Sequence, residues 1–118
     1  MHDFRELLAA IDIGDAAART AFDVYCHRLR KYVGAYVAVL GGADAVVFTA
    51  GEGEHVARVR EDALRGLGVL GIEVDEERNR TDAEGARRIG SDSSRVSVLV
   101  VPTDEELAIA RQVRALVG

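Results

Sequence analysis

Apolar residues recur at intervals of three and four along residues 18–40, and this run restricts the fold more than any other feature of the sequence. Such spacing places the apolar side chains on one side of an α-helix of about six turns. Asp15 predicts the helix start because its carboxylate can cap free backbone amides. Gly41 and Gly42 predict its end because glycine readily adopts a positive φ. We therefore predict one long, largely buried helix after a short polar start.

Three apolar stretches predict strands, at residues 45–49, 69–74 and 95–101. The first has no polar alternation, which is typical of a short strand covered on both faces. The last is rich in β-branched residues and is stopped by Pro102. The polar stretch at residues 75–95 predicts an exposed excursion with a short strand near Arg88 and Ile89.

Two further helices are predicted from periodicity and capping. A glycine-rich turn at residues 49–54 leads into an amphipathic stretch whose apolar side begins at Val56. Thr103 and Glu106 have the spacing of a capping box, which predicts the start of a final helix. Strands that alternate with helices indicate an α/β fold with a small, mostly parallel sheet in a single domain, residues 1–118. The sheet is small for so long an apolar helix, so we expect the fold to pack against further protein.

The composition excludes several classes of protein. The formal net charge is −5 and the arginines are scattered, so the basic patch typical of nucleic-acid binding is absent. No apolar run approaches the roughly 20 residues of a membrane-spanning helix. Cys26 is the single cysteine, which fits a reducing compartment, and the N-terminus lacks the pattern of a signal peptide. These features predict a cytoplasmic protein without nucleic-acid or membrane partners.

The turn after the first strand is the strongest candidate for a ligand site. Gly51 and Gly53 let the backbone approach a ligand, and a helix start favours anions, so a nucleotide would fit there. Taken alone, however, a Gly-x-Gly turn is weak evidence, and a tight strand-to-helix connection explains the same residues. Glu52 and Glu54 argue against direct phosphate contact, because carboxylates repel a polyphosphate unless a cation lies between them.

Two other segments carry candidate ligand-binding side chains. Glu105 lies in the first turn of the final predicted helix and is not used by the capping box, so it is available to bind Mg²⁺. Stabilisation of the helix dipole is the alternative role for this carboxylate. Asp3, Phe4 and Arg5 combine an acid, an aromatic ring and a guanidinium, which suit a sugar hydroxyl and a base but also an ordinary surface segment.

Several stretches, in the same order along the chain, resemble acetate kinases. They are VYCHRLRKYVGAY at residues 24–36, GGADAVVFTAG at 41–51, LGIE at 70–73, EERN at 76–79 and VVPTDEELAIA at 100–110. Five separate matches are far more specific than one glycine turn. The resemblance runs nearly end to end and corresponds to the C-terminal part of the family.

The resemblance implies a ribonuclease H-like domain of the superfamily that contains acetate and sugar kinases, Hsp70 and actin. It implies that the segment Asp3, Phe4 and Arg5 and the loop at Gly51 contact the adenosine of ATP, and that Glu105 helps to bind Mg²⁺. The reaction it implies is reversible γ-phosphoryl transfer from ATP to acetate, giving ADP and acetyl phosphate. In the family, the phosphate-clamping and acetate-binding side chains precede the matched part, so no catalytic residue is assigned in this chain.

Two positions in the glycine-rich turn depart from the family. Glu52 stands where the family usually has an isoleucine, and His55 stands where it has an asparagine. The isoleucine is expected to pack against the adenine. A carboxylate partly desolvated against an aromatic ring costs free energy, so Glu52 is expected to weaken nucleotide binding.

Three interpretations follow. The chain is the C-terminal segment of an acetate kinase, inactive unless the remainder is supplied. Alternatively it is a non-enzymatic nucleotide-binding or homodimerisation module, since the long apolar helix would expose a large patch. It is also compatible with a propionate or butyrate kinase, because the residues that select the carboxylate lie outside the matched part.

Overall fold

The computed structural model describes residues 4–103, apart from the side chain of Glu52. Its α-helices are α1 (Phe4–Asp12), α2 (Ala16–Leu40), α3 (Gly51–His55), α4 (Ala57–Leu64) and α5 (Glu76–Arg80), and Leu67–Leu70 forms a 3-10 helix. Its strands are β1 (Ala45–Phe48), β2 (Arg87–Arg88) and β3 (Ser97–Val100). Within residues 4–103, no helix is both long and apolar enough to cross a membrane. The predicted final helix, with its capping residue Glu106, falls outside these residues.

Helix α2 begins and ends where its capping residues predict. A carboxylate oxygen of Asp15 accepts a hydrogen bond from the amide of Ala18 at 3.0 Å. At the other end, Gly41 has a φ of 73°, and the amide of Gly42 donates to the carbonyl of Val37 at 2.9 Å. This left-handed ending satisfies carbonyls that an α-helix leaves without partners.

The prediction that α2 is largely buried is wrong for its C-terminal half. Its buried residues are Ala18, Phe22 and Cys26. Tyr32, Tyr36, Val39 and Leu40 are between 62% and 80% exposed, and we call them the α2 stripe. The apolar pattern thus continues beyond the part of the helix that α1 and α4 cover.

The predicted polar start is a helix instead. Helix α1 packs on α2 with Leu7 buried between them, and its last residue, Asp12, pairs with Arg58 of α4 at 3.0 Å. The spacing of Phe4, Leu7, Leu8 and Ile11 explains the helix, because it forms one apolar side.

The sheet is mixed, in the order β1-β3-β2, so the α/β class holds and the mostly parallel arrangement does not. Strand β1 pairs with β3 in parallel, with Phe48 opposite Val100. Strand β2 pairs with β3 in antiparallel orientation, with Arg88 opposite Leu99. The strand predicted near Arg88 is therefore confirmed, and β1 and β3 lie within the predicted ranges. However, β1 is not covered on both faces, since Val47 is 37% exposed.

The strand predicted at residues 69–74 is wrong. The 3-10 helix ends at Gly71, which has a φ of 83°, and Val74 forms only an isolated antiparallel bridge with Gly90. A short apolar run fits a 3-10 turn as well as a strand, and the left-handed glycines at 66 and 71 interrupt any extended backbone.

The segment predicted as an exposed excursion contributes to the interior. It contains α5, and Asn79 and Ile89 are 1% and 0% exposed. The predicted glycine-rich turn also differs, because it contains most of the short helix α3, and the extended Val56 separates α3 from α4. Helices α4 and α5 pack against each other in this part of the fold.

The buried apolar residues form two clusters. One lies between the sheet, the 3-10 helix and the C-terminal half of α2 and includes Ile72, Ile89 and Val98. The other joins α1, α2 and α4 through Leu7, Phe22 and Val59.

Candidate functional site

The candidate site lies where the chain leaves the parallel strands β1 and β3. The amide of Val101 donates to the carbonyl of Phe48 at 2.9 Å, which extends the pairing one step past the end of each strand. The chain then enters the glycine loop, residues 49–54, on one side, and passes Pro102 and Thr103 on the other. Ligands of α/β proteins bind beyond the carboxyl ends of parallel strands, so this edge is the first place to look for a site.

The two glycines of the loop have different structural roles. Gly51 has a φ of 52°, and a Cβ built there would meet nothing within 4 Å, so its backbone faces open space. A Cβ on Gly53 would lie 3.0 Å from Cδ1 of Phe48, so this glycine permits close packing on the strand. Ala50 also has a positive φ, 63°, which a residue with a Cβ rarely adopts. The loop therefore presents an accessible, tightly folded backbone at Ala50 and Gly51.

Glu54 joins the two sides of this edge. Its Oε1 accepts hydrogen bonds from the amide of Ala50 at 3.0 Å, the amide of Thr103 at 3.0 Å and the hydroxyl of Thr103 at 2.6 Å. The Thr103 hydroxyl in particular, with the two amides, holds the pKa of the Glu54 carboxyl below its usual range. His55 Nε2 lies 3.7 Å from the other oxygen. The Glu54 carboxylate thus binds protein donors on both sides of the edge.

Arg60 holds the backbone of the glycine loop through hydrogen bonds. This residue of α4 is only 2% exposed, and its guanidinium donates to the carbonyls of Gly53 at 3.2 Å and Glu54 at 2.9 Å. It also donates to Oδ1 of Asn79 at 2.6 Å and to the Asn79 carbonyl at 2.9 Å. Burial lowers the pKa of Arg60 to about 10, which leaves it charged at neutral pH. A buried charge needs such partners, because an unpaired one costs several kcal/mol.

Asn79 connects this arginine to the rest of α4. Its side-chain amide donates to the carbonyl of Ala57 and to Oε2 of Glu61, both at 3.0 Å. Arg80 donates two hydrogen bonds to the same Glu61 carboxylate, at 2.9 and 3.0 Å. The glycine loop, α4 and α5 are therefore fastened by one polar network.

The other sequence-predicted residues are placed as follows. The ring of Phe4 packs edge-on against Tyr25 at a centroid distance of 5.0 Å, in the apolar cluster that also contains Val56, the residue after α3. Arg5 lies exposed on α1. Phe4 therefore packs on the same apolar cluster as Val56, which lies two residues after the glycine loop. Asp3, Glu105 and the side chain of Glu52 lie outside the described residues.

A cavity of about 640 Å³ opens beside the loop, between α3 and the segment from Asn79 to Arg87. It is lined by both charges, with Arg60, Arg80 and Arg87 among the bases and Glu54, Asp82 and Glu84 among the acids. Neither Phe4, Arg5 nor Gly51 lines it. Within residues 4–103, no three histidine, cysteine or acidic side chains cluster as metal ligands would.

Sequence reasoning missed Arg60 and Asn79. One signal for Arg60 was available, since it lies four residues after Val56 and three before Ala63, on the buried side of α4. A charged residue at such a position needs a buried partner. Nothing local identifies that partner as Asn79, or Thr103 as the partner of Glu54.

Comparisons with known proteins identify the family and agree with the fold. Residues 1–111 match the model of the acetokinase family. An acetate kinase from Streptomyces avermitilis is 55% identical over 117 residues, which are 99% of this chain and 29% of that protein. The chain therefore spans under a third of the length of that relative.

Solved structures give the same result. The acetate kinase of Porphyromonas gingivalis superposes with a TM-score of 0.82 at 39% identity, over 98% of this chain and 29% of its own. The acetate kinase of Entamoeba histolytica gives 0.79 at 35% identity, over 97% and 31%. A propionate kinase from Francisella tularensis gives 0.77 at 34% identity, over 93% and 28%. By its sequence match and its fold, the chain belongs to the acetokinase family.

Proposed function

We propose that this chain forms the C-terminal, nucleotide-facing part of an acetate kinase, with a ribonuclease H-like fold and a cytoplasmic location. The observation that carries the proposal is the glycine loop at the carboxyl edge of β1 and β3, held in an open, left-handed conformation at Ala50 and Gly51. The 55% identity to an acetate kinase over nearly the whole chain supports it.

The exposed backbone at Gly51 fits the nucleoside part of ATP. Open space above its Cα lets a flat ring or a sugar approach the backbone closely. The nearest described carboxylate, that of Glu54, is bound to Ala50 and Thr103 and so is not directed at a ligand. Asp3, Phe4 and Arg5 are proposed to contact the adenosine from the other side, as the resemblance implies.

The metal is proposed to lie beyond β3. Thr103 marks where the chain passes the glycine loop, and Glu105 follows two residues later. A single carboxylate suits Mg²⁺, which usually keeps several waters and the phosphate oxygens of its substrate. Bound MgATP would supply the γ-phosphoryl group that is transferred to a carboxylate.

The isolated chain is expected to be inactive. Phosphoryl transfer depends on groups that align the reactants and neutralise the transferring phosphate. Among residues 4–103, the arginine nearest the loop backbone, Arg60, is buried and committed to protein carbonyls and Asn79. Charge neutralisation is proposed to come from the part of the family's length that this chain does not span, as the resemblance implies.

The first test is calorimetric titration of the purified, monodisperse chain with MgATP, together with an assay of acetate-dependent ADP formation. The preceding portion of the Streptomyces avermitilis relative, expressed separately, is then added to the same sample. Saturable binding without turnover, followed by activity on addition, supports the proposal. Absence of both binding and restored activity in folded samples would refute it.

A matched pair of glycine variants tests the loop. Gly51 and Gly66 both have positive φ, and a Cβ at either would meet nothing within 4 Å. Gly51→Ala and Gly66→Ala should therefore lose similar stability, about 1 kcal/mol each. Only Gly51→Ala is expected to weaken MgATP binding, because its new methyl group occupies the space proposed for the nucleoside. Equal affinities would exclude the loop as the contact.

Glu52 offers an independent test in the opposite direction. If its carboxylate is desolvated against the adenine, Glu52→Ile should tighten MgATP binding. Glu77→Ala, which removes an exposed carboxylate on α5, is the control for the change in net charge. Unchanged affinity in Glu52→Ile would show that this departure from the family does not impair the site.

Two observations favour alternatives. The propionate kinase neighbour is nearly as similar as the acetate kinases, so propionate should be assayed beside acetate. The α2 stripe favours a homodimer, because four adjacent exposed apolar side chains form the kind of patch that interfaces cover. Sedimentation velocity of the parent and of Tyr36→Glu distinguishes a dimer through this stripe from a monomer.

A further inference from the structure

The glycine loop and the segment after β3 leave the sheet side by side. Strands β1 and β3 run in parallel with Phe48 opposite Val100, and the Val101 amide continues the pairing. Nothing in this backbone pairing extends as far as Ala50 or Thr103. Any connection between the two segments at that level must come from side chains.

The Glu54 side chain makes that connection. One oxygen, Oε1, receives three donors, of which one belongs to Ala50 and two to Thr103. Three hydrogen bonds to one carboxylate oxygen leave it little capacity for a ligand. The side chain is only 12% exposed although it lies at the surface, which agrees with a structural use.

Local capping does not explain this geometry. The bond from the Ala50 amide to Glu54 spans four residues and resembles an ordinary helix-start interaction, but Thr103 lies 49 residues away. Ala50 keeps a φ of 63°, at a cost of about 1 kcal/mol or more for a residue with a Cβ. Strain of this kind persists only where neighbouring groups hold it, and the bond to Glu54 holds the Ala50 amide directly.

We infer that Glu54 is a positioning residue, whose carboxylate fastens the glycine loop to Thr103 so that the nucleotide-facing loop and the end of the chain segment after β3 at Thr103 keep one fixed relative geometry. The inference rests on the proposed function for its consequence in nucleotide binding. The fastening itself is a property of this chain alone. Glu54 is expected to touch neither nucleotide nor metal.

The fastening is tested without any ligand. In an NMR titration of the labelled chain, the Glu54 carboxyl carbon and the amide protons of Ala50 and Thr103 should titrate with one midpoint, below the usual range for glutamate. In Thr103→Val, that midpoint should rise, and the Thr103→Ser variant should restore it. Thr81→Val is the matched control, because the Thr81 hydroxyl donates to the Glu77 carbonyl at 2.8 Å and not to Glu54. A Glu54 midpoint that is the same in Thr103→Val and the parent would overturn the inference.

The consequence for binding is tested on the same variants. Thr103→Val should weaken MgATP binding by about 5- to 10-fold, the effect of losing one hydrogen bond of typical strength, with recovery in Thr103→Ser. If the parent binds no MgATP, the proposed function fails while the NMR titration still decides whether the two segments are fastened. If the parent binds and Thr103→Val binds equally well, Glu54 does not position the loop for the nucleotide.

Discussion

Replacing Asn79 by alanine should cost more stability than replacing any exposed residue of α5. The side chain of Asn79 is 1% exposed and accepts a hydrogen bond from Arg60 while donating to Ala57 and Glu61. In Asn79→Ala, the Nε of the buried Arg60 guanidinium loses its partner, and the half-buried Ala57 carbonyl loses one hydrogen bond. Glu61 keeps Arg80, so its share of the loss is small.

The magnitude follows from these partners. An unpaired donor on a buried charged group costs about 2–3 kcal/mol, and the loss of one hydrogen bond to the half-buried Ala57 carbonyl costs about 0.5–1 kcal/mol. The better helix propensity of alanine returns only a few tenths of a kcal/mol. We therefore expect Asn79→Ala to lower the free energy of unfolding by about 3 kcal/mol, a large part of the roughly 5–15 kcal/mol typical of a domain.

Urea denaturation followed by far-UV circular dichroism at pH 7 measures this change. Glu77→Ala is the matched control, because Glu77 is exposed on the same helix and its side chain makes none of these bonds. The control should stay within about 0.5 kcal/mol of the parent. A loss below about 1 kcal/mol in Asn79→Ala would mean that Arg60 finds other partners, and the network would not be what holds the glycine loop.

Three further predictions concern single positions. Gly53→Ala should destabilise the chain by about 1–3 kcal/mol in the same assay, because its Cβ would lie 3.0 Å from Phe48. Gly34→Ala lies in open space within α2 and should stabilise the chain by about 0.5–1 kcal/mol. The opposite order of stabilities would contradict both assignments. Glu54→Gln should be less stable than the parent at pH 7. This difference in stability should vanish as the pH falls below 4.5 and through the lowered pKa of Glu54, because the parent carboxylate then becomes neutral. A difference that persists at pH 2 would show that the charge of Glu54 does not cause it. Burial and then the nearby Asp62 raise the pKa of the Cys26 thiol to about 11, so a disulfide reagent at pH 8 should react only after unfolding, and rapid reaction of the native chain would contradict this.

The parts of the fold that the sequence predicts are those that local chemistry determines. Helix α2 begins after Asp15 and ends before Gly41, because a side-chain cap and a positive φ act within one turn of the helix. Strand β3 is recognisable because β-branched residues end at Pro102, whose ring prevents continued pairing. The strand expected at residues 69–74 fails because the same apolar run suits a 3-10 helix, and only tertiary packing decides between them.

The candidate site is likewise predictable only in part from the sequence. The glycine loop is recognisable in the sequence because its two glycines follow a predicted strand and precede an amphipathic stretch. The network that holds it is not visible, because each bond joins residues far apart in the chain, 19 residues for Arg60 and Asn79 and 49 for Glu54 and Thr103. Asn79 in particular reads as a turn residue until Arg60 is placed beside it.

The exposed α2 stripe is the one place where the helical pattern predicts more burial than the described structure provides. Apolar periodicity records the surroundings for which a sequence is suited, and α2 carries it through to Leu40 although its buried residues end at Cys26. Among the described residues, β1 pairs only with β3, and Val47 in this strand is partly exposed. A partner that covers the stripe and adds a strand to β1 would satisfy both at once. The proposed function requires the remaining portion of an acetate kinase, because this chain spans 29% of the relative that it matches.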